Sequence, residues 1–176
     1  MKNIQIKPMR KDDLRDIVDI ERAVFPDPWS STMFAEQLDL PEMYSLITAR
    51  IDDKVAGYGG LLRIRDEGHI TNLAVQPQAQ SQGLGKSLVY FLFLLALKEG
   101  IKSMTLEVRT TNTRAQELYR EFGFAPIALR KNYYGYEEDA LVMTVEDISV
   151  ASYQRRFANI QQNLKCHIED SLNLAS

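Results

Sequence analysis

The sequence predicts an α+β fold: a mixed β-sheet with helices on both of its faces. Three observations lead there. The stretches "MYSLITARI", "KVAGYGGLLRI" and "GHITNLAV" follow one another closely, the first two joined by a tight Asp52-Asp53 turn, and read as antiparallel strands. The apolar run "LVYFLFLLAL" then separates "GHITNLAV" from the next strand, "SMTLEVR", in the pattern of a strand–helix–strand crossover. The chain has 176 residues, 45% of them hydrophobic, enough for one domain with a sizeable core.

Each element has its own local reason. "DDLRDIVDIERAVF" sets Leu14, Ile17, Val18 and Val24 near helical spacing behind an acidic start. "FPDPWSS" is a loop broken by prolines, and Ser30 or Ser31 caps a short helix through Leu38. Three strands follow, then a glycine loop that opens a helix ending near Gly100. After "SMTLEVR" comes the helix "NTRAQELYREFG", with Asn112 as its N-cap and Gly123 as its stop. "FAPIALRKNYY" and "EDALVMTVED" read as two last strands. This gives one domain over residues 1–148 and a separate extension over 149–176.

Composition excludes several function classes. The 21 basic and 24 acidic residues leave a net charge of −3, without the basic field that nucleic-acid binding needs. A single cysteine, Cys166, forms no disulfide within the chain, and Cys166-His167 cannot close a metal site, so no metal is expected. The N-terminal "MKNIQIKPMRKDD" lacks the apolar run of a signal peptide. The longest apolar run is about a dozen residues, whereas a membrane span needs about 20. These features suggest a cytoplasmic protein with no membrane partner.

"QSQGLGKS", residues 80–87, ends like a nucleoside-triphosphate loop, in Gly85-Lys86-Ser87. Such a loop needs a glycine where this chain has Gln80. What remains is Gln80-x-x-Gly83-x-Gly85 leading into a helix, whose free amides and dipole favour an anion. A glycine-rich turn that binds nothing is the other reading of so short a motif.

Candidate chemical groups follow downstream. In "MTLEVR", Thr105, Glu107 and Arg109 share one face of the strand. Glu107 can be a general base held on a rigid strand, or the partner of Arg109 in an ion pair. In the next helix Ala115, Leu118, Tyr119 and Phe122 form a stripe, and Tyr119 brings its only hydroxyl. That phenol either bonds a backbone carbonyl or faces a cleft as a proton donor. His69, alone on its strand, reads as structural, and Trp29 either anchors the first loop or lines a groove.

Taken together, "NLAV", "QSQGLGKS", "LEVRTTNTRAQELYREFGF" and "NYYGYEEDALVM" resemble the Gcn5-related N-acetyltransferase superfamily over about residues 3–146. Within it they are similar to the ribosomal-protein-alanine acetyltransferase group, which "FPDPWS" also supports. The resemblance implies acetyl-coenzyme A as cosubstrate. Its pyrophosphate would lie on the amides of residues 82–87, that is Gln82, Gly83, Leu84, Gly85, Lys86 and Ser87, with Gln80 heading the motif. Leu73, Ala74 and Val75 would pair with the pantetheine arm, and Asn112 would touch the cofactor. It also implies that Glu107 acts as base and Tyr119 as acid. An α-amine has a pKa of about 7.7–8, so much of it must lose a proton before it can attack. The implied partner is a protein N-terminus, first of all the alanine terminus of ribosomal protein S18, framed by Trp29, Tyr133, Tyr134 and Glu138. Only Gly135, Tyr136 and Glu137 separate the paired tyrosines from "EDA", a shorter loop than that group has and closer to N-terminal acetyltransferases of broader range. A small-amine acetyltransferase and a coenzyme-A-binding module without catalysis are the other readings.

The extension stands outside the resemblance. Val150, Tyr153, Phe157, Ile160, Leu164, Ile168 and Leu172 fall on one face of a helix. The spacing predicts an amphipathic helix that packs on its own domain or pairs with a second copy in a homodimer.

Overall fold

The computed structural model describes residues 4–164, 168–170 and 172. An eight-stranded mixed sheet carries helices on both faces. In chain order the elements are β1 (Ile4–Pro8), α1 (Leu14–Val24), α2 (Ser31–Leu38), β2 (Tyr44–Ile51), β3 (Lys54–Ile64) and β4 (Glu67–Val75). Then come α3 (Leu84–Lys98), β5 (Ser103–Arg109), α4 (Thr113–Glu121), β6 (Ala125–Arg130), β7 (Ala140–Val145), α5 (Ala151–Gln162) and β8 (Ile168–Asp170). The strand order is β6-β7-β5-β4-β3-β2-β1-β8. Pairing is parallel at β4–β5 and β1–β8 and antiparallel elsewhere.

The two faces have separate cores. Helix α3 is apolar all round and buries Leu88, Val89, Leu92 and Phe93 against one face, together with Leu61, Leu106 and Met143 of the sheet. Helices α1 and α2 cover the other face, where Ile17, Ile20 and Phe34 pack on Leu46, Tyr58 and Ala74. A bulge opposite Gly60/Leu61 leaves Thr71 as the extra residue of β4. Beyond it, Leu73 and Val75 pack on the α3 side while Ala74 packs on the α1 side.

Pairing between β4 and β5 runs only from Glu67–Ser103 to Ile70–Leu106. Both strands continue beyond that point without pairing to each other. The centre of the sheet is therefore open at one end, and this gap positions the site.

Several expectations change. Strand β1 has no counterpart in the sequence reading; its short run of alternating residues is stabilised by pairing with β2. The strand expected over "FAPIALRKNYY" stops at Arg130, and a closed turn follows: the Asn132 amide donates to Asp139 Oδ1 at 2.9 Å, and the Glu137 amide to Asn132 Oδ1 at 3.0 Å. The helix predicted along the extension ends at Gln162, and Ile168–Asp170 is a strand added to β1. An open sheet edge offers backbone hydrogen bonds that override a four-residue apolar spacing. The apolar face of α5 is spent within the chain. Tyr153, Phe157 and Ile160 are buried, the Phe157 ring stacks on Tyr90 with centroids 4.5 Å apart, and the Tyr153 hydroxyl donates to the Phe122 carbonyl at 3.0 Å. Cys166 and His167 lie outside the described residues. No helix among the described residues is long and apolar enough to cross a membrane.

Candidate active site

A cavity of about 830 Å³ opens where β4 and β5 part. Its walls are residues 70–75 of β4, residues 106–109 of β5, the start of α3, one face of α4 and the loop after α1. Leu73, Ala74 and Val75 border it along the edge of β4 that has lost its β5 partner. An extended chain of amide groups can add to such an edge as a further strand would.

The glycine loop borders the same space through Gln80, Gly83, Leu84, Gly85 and Lys86. Gly83 is the N-cap of α3 at φ +91°, a left-handed conformation that favours glycine. At Gly85 a Cβ would meet nothing nearer than Leu118 Cδ2 at 3.6 Å, so the fold itself accepts a side chain there. Gly85 borders the cavity, so a ligand there lies close to its backbone. Lys86 Nζ sits 2.6 Å from Glu121 Oε2. Gln82 and Ser87 are not on this wall. Gln82 borders a second hollow beside α1, and its Nε2 donates to the Gln78 carbonyl at 3.1 Å. Ser87 is buried, with amide and hydroxyl both turned to the Gly83 carbonyl inside the first turn of α3. Asn112 lines the cavity, and its Oδ1 caps α4 by accepting the Ala115 amide at 3.1 Å.

Glu107 reaches the cavity with its side chain 8% exposed. Its expected partner Arg109 is engaged elsewhere, paired with Glu138 and stacked over the Tyr134 ring at 4.2 Å. Glu107 is held instead by His69, with Nε2 2.6 Å from Oε2, and by Arg130, 3.2 Å from Oε1. The His69 hydrogen bond, aided by the charges of His69 and Arg130 and opposed by desolvation, holds its carboxyl below the usual range. Glu107 is thus ionised and accepts the Nε2 hydrogen. The sequence reads His69 as structural; here it is a residue that holds Glu107, brought opposite β5 by the parallel register of β4 and β5.

Tyr119 is 7% exposed and lines the cavity from α4. No hydrogen bond among the described residues involves its hydroxyl, whereas that of Tyr153 is bonded. Burial, and to a lesser degree nearby Tyr134, raises its pKa well above the ordinary tyrosine value. The phenol therefore stays protonated and able to donate. Tyr134, raised to about 12 chiefly by burial, and Tyr133 line the same cavity, their rings edge to face at 5.0 Å. Trp29 lines the cavity and packs on Phe34, with centroids 5.5 Å apart. Glu138 pairs with Arg109 and is not among the residues lining the cavity.

Glu21 is a second residue the sequence reading passed over. It falls four positions after Ile17 and seven after Leu14, on the buried stripe of α1, which was a signal available in the sequence. Its Oε2 accepts the Trp29 amide at 2.8 Å.

Comparison with known proteins agrees with this geometry. Residues 14–124 match the model of the acetyltransferase (GNAT) family. The chain is 37% identical over 142 residues to a Bacillus subtilis (strain 168) protein, covering 80% of this chain and 93% of that one. It is 33% identical over 143 residues to the [ribosomal protein bS18]-alanine N-acetyltransferase of Escherichia coli (strain K12), covering 80% and 95%. The crystal structure of the ribosomal-protein-S18-alanine N-acetyltransferase from Escherichia coli superimposes with a TM-score of 0.76 at 32% identity, over 82% of this chain and 94% of that one. A cavity between parted central strands, an unpaired strand edge and a glycine loop at a helix start suit an acetyl-coenzyme A ligand. The chain belongs to the acetyltransferase (GNAT) family and is an acetyl-coenzyme-A-dependent N-acetyltransferase.

Proposed function

We propose that the acceptor is the α-amine of a protein N-terminus, with the alanine terminus of ribosomal protein bS18 as the leading substrate. What carries this reading is identity above 30% along nearly the whole length of enzymes named for that reaction. The cavity adds chemical support, because a carboxylate and a protonated phenol border it together.

In this reading the loop around Gly83 and Gly85 and the free edge at Leu73–Val75 hold acetyl-coenzyme A, which supplies an activated acetyl group when bound. Glu107 is the base. Being ionised and hydrogen-bonded to His69, it draws a proton off the ammonium while the imidazole steadies its second oxygen. As the amine nitrogen bonds to the acetyl carbon and the carbon–sulfur bond breaks, Tyr119, held protonated by burial, gives its hydroxyl proton to the leaving thiolate and recovers one from the second proton that the new amide nitrogen sheds. Trp29, Tyr133 and Tyr134 wall the acceptor groove.

A broader choice of N-termini is the second reading. It is favoured by the short connection between β6 and β7, closed on itself by Asn132 and Asp139. Mass spectrometry of acetyl transfer to peptides differing only in their first two residues decides between the two. Transfer confined to alanine-initiated peptides of the bS18 type is the expected result. Comparable transfer to several first residues establishes the broader enzyme, and transfer to lysine side chains or small amines alone overturns both.

A further inference from the structure

One buried carboxylate on the cavity wall has no cation among the described residues. Glu21 is 1% exposed and lines the cavity from the last turns of α1. Its Oε2 is bonded to the Trp29 amide, but its Oε1 is buried without a hydrogen-bond partner. No basic side chain pairs with it among the described residues. On the same cavity, the Oδ1 of Asn72 is also buried and unpartnered. By strand alternation with Ala74, Asn72 points to the face of the sheet that α1 covers. Desolvation pushes the Glu21 carboxyl up to about 7, the Trp29 bond offsetting only part of it. A leucine would continue the stripe of Leu14, Ile17 and Val24 without that penalty. An unpaired buried carboxylate on a cavity wall is the arrangement of a group waiting for a cation.

We propose that Glu21, with Asn72 on the same wall, binds the ammonium group of the incoming acceptor. The proposal builds on the reading of the acceptor as an α-amine. An ammonium has three N–H donors and no acceptor, which complements two buried oxygens that lack a donor. The second oxygen of Glu21 holds the Trp29 backbone, so the recognition atom and the loop that walls the groove are fixed together. Glu21 is a binding residue. It receives the amine charged, and Glu107 with His69 takes the proton.

The test uses the full chain loaded with coenzyme A, which cannot transfer. Calorimetry measures an alanine-initiated peptide, its propionyl-initiated analogue, in which hydrogen replaces the amino group, and alanine amide as a small amine. The chain's single tryptophan, Trp29, reports the loop through its fluorescence. Glu21→Gln keeps an oxygen for the Trp29 amide and removes the charge. The expected result is an affinity for the ammonium-bearing ligands reduced roughly tenfold or more. Coenzyme A affinity and Trp29 emission stay unchanged, and the propionyl peptide binds the wild type weakly and is indifferent to the substitution. Equal losses for amino and propionyl peptides, or none, overturn the proposal. Wild-type protein that binds both peptides equally overturns it without any variant, so misfolding of Glu21→Gln cannot shelter it. If alanine amide alone binds, and loses affinity in Glu21→Gln, Glu21 stands and the protein-N-terminus reading falls. If the peptide binds equally to both proteins, that reading stands and Glu21 falls. Binding of no amine overturns both.

Discussion

Glu107 shows how its neighbours shape a base. His69 and Arg130 keep it ionised, so it is ready to accept a proton at neutral pH, at the cost of some basicity. Glu107→Gln is expected to lower turnover by about 10²–10⁴-fold with little change in acetyl-coenzyme A affinity. Its defect should shrink at alkaline pH, where the amine loses its proton in solution; steady-state rates from pH 6 to 10 read this. Tyr119→Phe should slow the reaction while melting within a degree or two of wild type, because the lost hydroxyl makes no hydrogen bond among the described residues. Glu21 gives a pH signature in stability. Its folded pKa is raised, so its contribution is fully present below its unfolded value of 4.5 and is lost as pH rises to about 7. A shift of that size corresponds to about 3 kcal/mol, so denaturant titrations should find Glu21→Gln gaining on wild type between pH 5 and 8.

At the scale of elements, the site exists because β4 and β5 stop pairing at Ile70 and Leu106. The first turn of α3 then closes one end of the gap with Gly83 and Gly85. The fold tolerates a Cβ at 85, so Gly85→Val should fold and melt nearly as wild type yet lose acetyl-coenzyme A binding by calorimetry. Unchanged affinity would take the cofactor away from this loop. The helix and the place of the loop that opens it were legible from glycines before an apolar run, while the motif alone left a turn that binds nothing as the other reading. The inner positions were less so. Ser87 looked like a loop residue, but α3 begins at Leu84, so helix hydrogen bonding had already claimed its amide.

Over the whole molecule, α5 extends the larger core. Its rings join a stack of Phe93, Phe122, Tyr90, Tyr153 and Phe157, and Arg156 donates to the Arg120 and Glu121 carbonyls at the end of α4. Phe157→Ala should cost about 3–5 kcal/mol, read from denaturant unfolding. A cost near zero would mean that α5 packs loosely in solution. Truncation after Asp147 is the harsher version, because it uncovers Phe93 and Phe122 together.

The sequence by itself determined the fold class, the order of the central elements and the position of the glycine loop, each from local periodicity, turn chemistry or a motif with fixed spacing. It left Glu107 and Tyr119 each with a structural and a catalytic reading. Tertiary structure decided the partners. His69 meets Glu107 across 38 residues, Arg109 turns to Glu138 and Tyr134 instead of Glu107, and Ile168–Asp170 leaves its helical spacing for the edge of β1. Strand register and open edges are properties of contacts distant in the chain, and a pattern read along the chain has no access to them.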